Sequence, residues 1–282
     1  MENFVGIITG CNSLTGIGRA TAYSIAKKNP KAIYVTDISD SNLATLAEDI
    51  TKTTGVECIA KLVNASCDED VKGVIDDAMK KYGRLDFYFA NAGIGNAKSM
   101  AEQTKEEFLE MMTNNAWRYG YLLLSNIEIV FAAVKYASAA MEQTSSQKPK
   151  PSGSIVATSS IASARSGAGS MSYAASKAAV VNICQTGAWR LHGKNIRVNA
   201  VCPGVIETEM TKPLLEAIAK DPRKQRLAML HSALERYGKP EEVGALVAFL
   251  VSRDASFING QAMTVDGGST AALPYLPCFV DN

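Results

Sequence analysis

The chain has 282 residues, 47% of them hydrophobic and 20% charged, which is enough apolar material for one large α/β domain. Its 29 lysines and arginines balance 28 aspartates and glutamates, and a net charge of +1 argues against nucleic acid or an anionic membrane as a partner. Six scattered cysteines, no C-x-x-C and only two histidines give no metal-binding pattern and favour reduced thiols.

No secretory signal is predicted, because Met1-Glu2-Asn3 leads directly into an apolar run without a basic segment or a cleavage site. The most apolar helical stretch, residues 122–140, contains Glu128 and Lys135, so we interpret it as a buried or interface helix and not as a membrane span. A cytoplasmic location is therefore expected.

Short apolar runs alternate with helical periodicity along the chain, which predicts parallel strands joined by right-handed crossovers. Strands are predicted at residues 4–9, 32–36, 56–63, 85–90, 153–158, 196–201 and 262–265, and helices at 19–28, 42–53, 68–81, 104–113, 115–141, 172–191 and 241–252. The pattern predicts a doubly wound parallel sheet, the Rossmann fold, as a three-layer α/β/α arrangement in a single domain spanning 1–282. Residues 203–239 form an excursion over the C-terminal edge of the sheet, and the polar segment 144–151 is predicted to be an exposed loop.

The first predicted strand ends in a glycine-rich turn that opens a helix. Thr9-Gly10 is followed by Gly16-Ile17-Gly18, and such a turn directs backbone N–H groups and a helix N-terminus at a phosphate. Asp37 ends the second strand 19 residues after Gly18, where a dinucleotide fold places the acid that binds the adenosine ribose. The turn and the acid together predict a dinucleotide site.

Tyr173 and Lys177 are spaced to lie one turn apart on the same face of a helix. A free tyrosine has a pKa of about 10, too high for efficient proton transfer at neutral pH. An ammonium group close by favours the phenolate and is expected to lower that pKa. The pair is thus a candidate acid/base for a substrate oxygen.

Taken together, six short motifs resemble the classical short-chain dehydrogenase/reductases over nearly the whole chain. Each is weak alone, but their order and approximate spacing are specific to that family. They are Thr9-Gly10 with Gly16-Ile17-Gly18, Asn91-Ala92-Gly93, Ser159-Ser160, Tyr173 with Lys177, Asn199 with Pro203-Gly204, and Val265-Asp266-Gly267-Gly268.

The resemblance implies four catalytic residues. Tyr173 would be the acid/base and Lys177 its pKa partner, while Ser160, 13 residues before Tyr173, would hold the substrate oxygen and stabilise its charge. Ser159 is the alternative assignment, but the spacing favours Ser160. An asparagine on the long helix would relay protons to the lysine, and Asn115 matches the family pattern better than Asn114.

The resemblance also implies a nicotinamide cofactor, and Asp37 favours NAD because a carboxylate would repel the 2′-phosphate of NADP. Neither Thr15 nor Ile38 is basic, and Arg19 begins a helix, where a structural role is expected. The cofactor-binding residues implied are Gly10, Ser13, Thr15, Gly16, Ile17, Gly18, Asp37, Asn64, Ala65, Asn91, Ala92, Gly93, Tyr173, Lys177, Pro203, Gly204, Ile206 and Thr208. Thr208, helped by Ile206, would bind the carboxamide of the nicotinamide.

Two positions depart from the family pattern. Five residues instead of three separate Gly10 from Gly16, so the turn must bulge, and which of its residues contact the cofactor stays open. The residue after the third strand is Asn64, where the family commonly has aspartate, so the contact with adenine is expected to differ.

The predicted function is an NAD(H)-dependent oxidoreductase that interconverts a secondary alcohol and a ketone, an alcohol dehydrogenase or carbonyl reductase acting on a small molecule. The alternatives are a 3-oxoacyl-thioester reductase and a non-catalytic NAD-sensing member of the family. A mainly apolar substrate site is expected from Ser160, Ile94, Ile161, Met171 and Met210. The resemblance further implies a homo-oligomer, either a dimer or a tetramer, paired through the helix before Ser160 and the helix carrying Tyr173.

Overall fold

The computed structural model describes residues 1–95, 101–112, 126–165, 169–223 and 232–271. Its strands are β1 Val5–Thr9, β2 Ala32–Asp37, β3 Glu57–Leu62, β4 Phe87–Ala90, β5 Gly153–Thr158, β6 Ile196–Pro203 and β7 Ala262–Val265. Its α-helices are α1 Ile17–Ala26, α2 Leu43–Thr54, α3 Asp68–Tyr82, α4 Lys105–Met112, α5 Asn126–Ala132, α6 Ser138–Glu142, α7 Met171–Arg190, α8 Lys212–Ala219 and α9 Pro240–Leu250. A π-helical segment, Ala133–Ala137, joins α5 to α6.

The seven strands form one parallel sheet in the order β3-β2-β1-β4-β5-β6-β7. The order reverses between β1 and β4, and in open α/β sheets ligands bind beyond the carboxyl ends of the strands at such a reversal. The prediction of a doubly wound parallel sheet is confirmed. Both the glycine-rich turn after β1 and the Asn91 motif after β4 lie at this point.

Helices cover both faces of the sheet because the central strands are apolar on both sides. One buried cluster contains side chains of α1, α2 and α9, and the other contains side chains of α3, α5, α6 and α7. All five residues of β1 are buried, and the ring of Phe87 lies over Gly6, where a Cβ would come within 2.2 Å of it. The two layers of helices therefore hold the carboxyl edge of the sheet in a fixed position.

Helices α2 and α3 each end at a glycine, where the chain changes direction after the helix. Gly55 follows α2 with φ of 74°, and Gly83 follows α3 with φ of 66°, a left-handed conformation that is costly for other residues. Each helix thereby stops just before the chain turns back into the sheet.

The segment 144–151, predicted to be an exposed loop, is held partly inside the protein. Lys148 is only 3% exposed, and its Nζ donates hydrogen bonds to Leu85 O at 2.7 Å and Met141 O at 3.0 Å. Its burial lowers the pKa of Lys148 to about 8. The prediction was wrong for this side chain because its partners are backbone carbonyls outside the loop itself.

The excursion after β6 leaves the sheet and returns to it at a closed neck. Ile206 and Gly238 form an isolated parallel bridge, with Glu207 N–H bonded to Gly238 O at 2.9 Å and Gly238 N–H bonded to Val205 O at 3.0 Å. Helix α8 projects from this neck and has no buried residue. In the part of the chain that the structure describes, no helix has the length and apolarity required to cross a bilayer.

Candidate active site

The ends of β1, β4 and β5 are joined by the side chain of Asn91. Its amide donates to Thr9 O at 3.1 Å and to Gly10 O at 3.3 Å, and its carbonyl accepts from the Thr158 hydroxyl at 3.0 Å. Thr9 Oγ1 in turn accepts the backbone N–H groups of Asn91 and Ala92, at 3.0 Å and 2.9 Å. Asn91 was expected to bind cofactor, and the structure shows its side chain holding the three strand ends together.

Two glycines of the turn, Gly10 and Gly18, are packed too closely to carry a side chain. A Cβ on Gly18 would lie 2.3 Å from Gly10 O, and a Cβ on Gly10, whose φ is 73°, would lie 2.8 Å from Asn91 Nδ2. Gly16 precedes α1 in an extended conformation, and Ile17 begins the helix. The N–H groups of the first helical turn consequently face the carboxyl edge of the sheet, as a phosphate site requires.

The bulge that the two extra residues create is attached to the loop after β2. Asp37 Oδ2 accepts the Asn12 N–H at 3.0 Å, and Asp37 Oδ1 accepts the Ser39 N–H at 3.2 Å. Each carboxylate oxygen keeps a second lone pair for a ribose hydroxyl. The Ser13 hydroxyl oxygen is buried and has no hydrogen-bond partner among the described residues, while Thr15 is exposed.

Arg19 is half-buried, and its side chain lies along α1 near the contact between α1 and α2. Its guanidinium interacts with the side chain of Tyr23, whose hydroxyl donates to Asp49 at 2.5 Å. Nη1 of Arg19 is buried and makes no hydrogen bond within the described part of the chain. Arg19 thus contacts Tyr23 while one of its guanidinium nitrogens has no partner among the described residues, and its structural role stays a prediction.

Asn64 and Ala65, in the loop after β3, were predicted to contact the adenine end of the cofactor, and their side chains are mostly engaged within the protein. Asn64 Oδ1 accepts from the Ser66 N–H at 3.1 Å and from the Ser66 hydroxyl at 2.9 Å, so the amide oxygen closes a local turn. Ala65 is 3% exposed and its side chain belongs to the core. The side chain of Ala65 is therefore not a cofactor contact, and only its backbone remains for that role.

Tyr173 lies near the start of α7, with its ring between two glycines. A Cβ on Gly169 would lie 2.7 Å from one edge of the ring, and a Cβ on Gly95 would lie 3.3 Å from the other. The Ser170 hydroxyl caps the helix by accepting the Tyr173 N–H at 3.2 Å. The cap and the two glycines fix the direction of the phenol, and any larger residue at 95 or 169 would displace it.

The two serines after β5 have different roles. Ser159 donates its hydroxyl hydrogen bond to the backbone oxygen of Lys177 at 2.7 Å, so it holds α7 against the sheet. Ser160 accepts the Ala162 N–H at 3.1 Å, and its side chain is close enough to the Tyr173 phenol to lower the pKa of that phenol. The structure thus brings Ser160, and not Ser159, to the tyrosine.

Lys177 is 5% exposed and lies beneath the tyrosine. Its Nζ donates to Thr158 O at 2.9 Å and lies 5.7 Å from the centroid of the Tyr173 ring. Burial lowers the pKa of Lys177 to about 8, against a smaller opposing effect of Cys202. The lysine can therefore change its charge close to neutral pH.

The Tyr173 pKa was expected to be lowered by Lys177, and the structure gives the opposite direction. Burial raises the pKa of Tyr173, and only the Ser160 side chain lowers it. A fully charged ammonium group next to a solvated phenol would have the opposite effect. In the structure both groups are removed from water, and burial disfavours the charged form of each.

The turn after β6 presents Thr208 but turns Ile206 away. The Thr208 hydroxyl lies 3.2 Å from the Thr211 hydroxyl at the start of α8. Ile206 is 4% exposed and packs in the core, where its side chain contacts Gly238. The closed neck of the excursion holds the Ile206 side chain inward, so its predicted help at the nicotinamide site would come from its backbone.

Pro203 ends β6, and Gly204 continues the sheet edge with its N–H bonded to Val265 O at 3.0 Å. A Cβ on Gly204 would lie 2.9 Å from Asp266 Cβ, so the close approach of the Asp266 segment requires glycine. Ala92 and Gly93 follow β4 at the same edge. These residues therefore lie along the carboxyl edge of the sheet, the same edge as the glycine-rich turn.

Of the predicted apolar substrate residues, Met210 is the one that the structure places beside the Tyr173 ring. Met210 is 58% exposed, and its Sδ lies 3.5 Å from where a Cβ on Gly95 would stand, beside the phenol ring. Met171 is 55% exposed at the first position of α7, and Ile161 opens the short helical turn after Ser160. Ile94 is partly buried and packs against the core. Asn115 and Asn114 lie outside the described residues.

Two residues near the site were not predicted from sequence. The Gln103 amide donates to the Ser172 hydroxyl at 2.5 Å and accepts the Ser172 N–H at 3.3 Å, which fixes the first turn of α7. Glu209 accepts the Leu14 N–H at 3.2 Å and links the excursion to the bulged turn. Nothing in the local sequence marks either contact, since the partners lie 69 and 195 residues away.

Known proteins share this arrangement over almost the whole chain. The model of the family described as enoyl-(acyl carrier protein) reductase matches residues 10–270. A 3-oxoacyl-acyl-carrier-protein reductase of Thermotoga maritima is 34% identical over 268 residues, 95% of this chain and 98% of that protein. Levodione reductase of Leifsonia aquatica is 30% identical over 272 residues, 95% of this chain and 94% of that protein.

Solved structures agree with these sequence matches. A crystal structure of levodione reductase superposes with a TM-score of 0.82 at 28% identity, over 96% of this chain and 98% of that one. The NADPH-dependent 3-quinuclidinone reductase of Rhodotorula rubra superposes with a TM-score of 0.80 at 26% identity, over 96% and 93% of the two chains.

Proposed function

Because this chain belongs to the short-chain dehydrogenase/reductase family, we propose that it is an NAD(H)-dependent carbonyl reductase or alcohol dehydrogenase. The observation that carries the proposal is the cluster of Ser160, Tyr173 and Lys177 at the carboxyl edge of the sheet, beside the glycine-rich turn. A proton-transfer group next to a nucleotide groove is what oxidation of an alcohol requires.

The residues of the groove fit a dinucleotide. Gly10 and Gly18 have no room for a side chain, so the backbone of the turn is open to a ligand at these two positions. The buried hydroxyl of Ser13 is without a partner among the described residues, so a phosphate or ribose oxygen can satisfy it. Asp37 holds lone pairs toward the adenosine ribose, and Thr208 and the backbone after Pro203 would hold the nicotinamide end. When bound, the nicotinamide ring accepts or supplies the hydride.

The protein's own residues handle the substrate oxygen. Ser160 would hold that oxygen by a hydrogen bond and stabilise the charge that develops on it, which in other enzymes is worth about 3–4 kcal/mol for one donor. Tyr173 would donate its proton to the oxygen during reduction and remove it during oxidation. Lys177 would favour the phenolate when protonated, and the closed packing around the ring would keep the hydroxyl aimed at the oxygen.

The preference for NAD over NADP is supported by Asp37 and its surroundings. No lysine or arginine occurs from Asp37 to Asn42, and Asp40 adds a second negative charge to the loop. A 2′-phosphate would approach these carboxylates without a cation from this loop to neutralise it. The structurally similar quinuclidinone reductase is NADPH-dependent. The acidic loop that begins at Asp37 is therefore our reason to expect NAD(H) instead for the present chain.

The proposal is tested by mixing the protein with a panel of ketones and NADH, and of secondary alcohols and NAD⁺, and following the nicotinamide absorbance. Turnover of at least one apolar ketone with NADH is expected. Absence of turnover across the panel, together with intact NADH binding, would contradict the enzyme assignment.

A second candidate activity is reduction of a 3-oxoacyl thioester, because the Thermotoga maritima protein named for that activity is 34% identical to this chain. An acetoacetyl thioester belongs in the same panel. If it is reduced at least about ten times more efficiently than any simple ketone, a difference of 1.4 kcal/mol or more, the second candidate is correct and the first is not.

Homo-oligomerisation and a cytoplasmic location are part of the proposal. Helices α5 and α7 each carry an exposed aromatic side chain, Phe131 at 56% and Trp189 at 80%, which supports pairing through these helices. Light scattering of the purified protein is expected to give twice or four times the monomer mass.

A further inference from the structure

The two extra residues of the glycine-rich turn allow Asn12 to reach the loop after β2. Asn12 Oδ1 accepts the Asn42 N–H at 2.7 Å, and Asn12 Nδ2 donates to the Ser41 hydroxyl at 3.0 Å. The Asn42 side chain returns a hydrogen bond to Asn12 O at 3.1 Å. These hydrogen bonds join segments that lie 29 and 30 residues apart in sequence.

The same residue also fixes the carboxylate proposed to bind ribose. The backbone N–H of Asn12 bonds to Asp37 Oδ2, while Ser39 N–H holds Oδ1 from the other side. Asp37 is the last residue of β2, and Ser41 and Asn42 directly precede α2, so the whole connection between strand and helix is anchored to the turn.

We propose that Asn12 is a positioning residue for cofactor selection: its side chain braces the 39–42 loop against the glycine-rich turn and keeps Asp37 aimed at the adenosine ribose. This inference rests on the proposed NAD(H) dependence, and it adds a second residue, besides Asp37, that determines the preference. With the brace in place Asp37 cannot swing away, so a 2′-phosphate meets a fixed carboxylate. Without it, the loop can withdraw and relieve the repulsion.

The discriminating experiment measures dissociation constants of NADH and NADPH by fluorescence titration for the wild type and for Asn12→Ala. Loss of the side-chain hydrogen bonds to Ser41 and Asn42, which organise the loop, is expected to weaken NADH binding about 5- to 30-fold. NADPH binding should stay within about 2-fold of the wild type or become tighter, since repulsion is relieved. In steady state the KM for NADH should rise while kcat at saturating NADH stays the same.

Matched variants separate positioning from general damage. Asn12→Asp keeps an oxygen for the Asn42 N–H and can accept from the Ser41 hydroxyl, so it is expected to retain the preference for NADH. Thr53→Ala removes a hydroxyl that bonds Asp49 O within α2 and should leave both constants unchanged. Ser41→Ala removes the contact of the Asn12 side chain with Ser41 and keeps its hydrogen bond with the Asn42 N–H. It is expected to give a smaller change of the same sign, about 2- to 4-fold, even where Asn12→Ala folds poorly.

The outcomes are distinguishable. A wild type that binds NADPH more tightly than NADH would overturn the proposed cofactor and the brace together. A wild type that prefers NADH, combined with an Asn12→Ala variant whose NADH/NADPH ratio is unchanged, would overturn the brace alone. Equal weakening of both dinucleotides would assign Asn12 a purely structural role and would also reject the inference.

Discussion

Replacement of Gly18 by alanine tests whether the close crossing of α1 over the glycine-rich turn builds the phosphate site. The added Cβ would lie 2.3 Å from Gly10 O and 2.9 Å from Asn91 Nδ2, whereas ordinary contacts begin near 3.4 Å. The shortfall is about 1 Å, and Gly10 cannot yield easily because Asn91 and its own left-handed conformation hold it.

Overpacking of this kind costs about 1–3 kcal/mol. At about 2–4 °C per kcal/mol for a chain of this size, the melting temperature should fall by about 2–12 °C. Displacement of the turn also moves the N–H groups that would bind phosphate, so NADH affinity should decrease at least about tenfold, the equivalent of 1.4 kcal/mol.

Gly73→Ala is the matched control, because Gly73 also lies within a helix but a Cβ there would meet nothing within 4 Å. Helix propensity predicts that this variant gains about 0.5–1 kcal/mol. The assay is thermal unfolding with and without NADH, combined with fluorescence titration. A Gly18→Ala protein with the melting temperature and NADH affinity of the wild type would refute the proposed close packing, and equal losses in both variants would do so too.

Three further changes test other parts of the site. Glu209→Gln removes the negative charge of a carboxylate that bonds the Leu14 N–H beside the proposed phosphate site. NADH should therefore bind about 2- to 5-fold more tightly by titration. Weaker binding would show that the link between Glu209 and Leu14 supports the cofactor site. Ser160→Ala should reduce kcat/KM about 100- to 1000-fold. Because Ser160 lowers the Tyr173 pKa, the pH at which the rate of alcohol oxidation rises should also move upward in this variant. An unchanged pH profile would reject the contact between Ser160 and Tyr173. Gln103→Ala should lower kcat several-fold while the KM for NADH is unchanged, since it frees the first turn of α7, and a rise in KM instead would contradict that assignment.

The sheet could be predicted from sequence because its strands are buried on both faces. Continuous apolar runs such as those at β1 and β2 are typical of strands inside a parallel sheet, and the helices between them favour a parallel arrangement with crossovers. Strand and helix ends differ from prediction by one or two residues at most positions, as frayed termini usually do.

Contacts between distant segments could not be predicted in the same way. The count of residues between Gly10 and Gly16 showed that the turn bulges, but not that Asn12 would bond to Asn42. The inward direction of Ile206 depends on its bridge with Gly238 on the far side of the excursion. The effect of burial on the Tyr173 pKa could likewise not be predicted, because it depends on which residues cover the ring.

The most direct test of the central claim is the rate of substrate turnover by Tyr173→Phe, with Tyr82→Phe as the control at the opposite edge of the sheet. We predict that Tyr173→Phe still binds NADH but reduces the ketone at least about 100-fold more slowly, because proton transfer by a positioned group contributes that much. Tyr82→Phe should keep the wild-type rate. Unchanged turnover by Tyr173→Phe would contradict the assignment of Tyr173 as the acid/base.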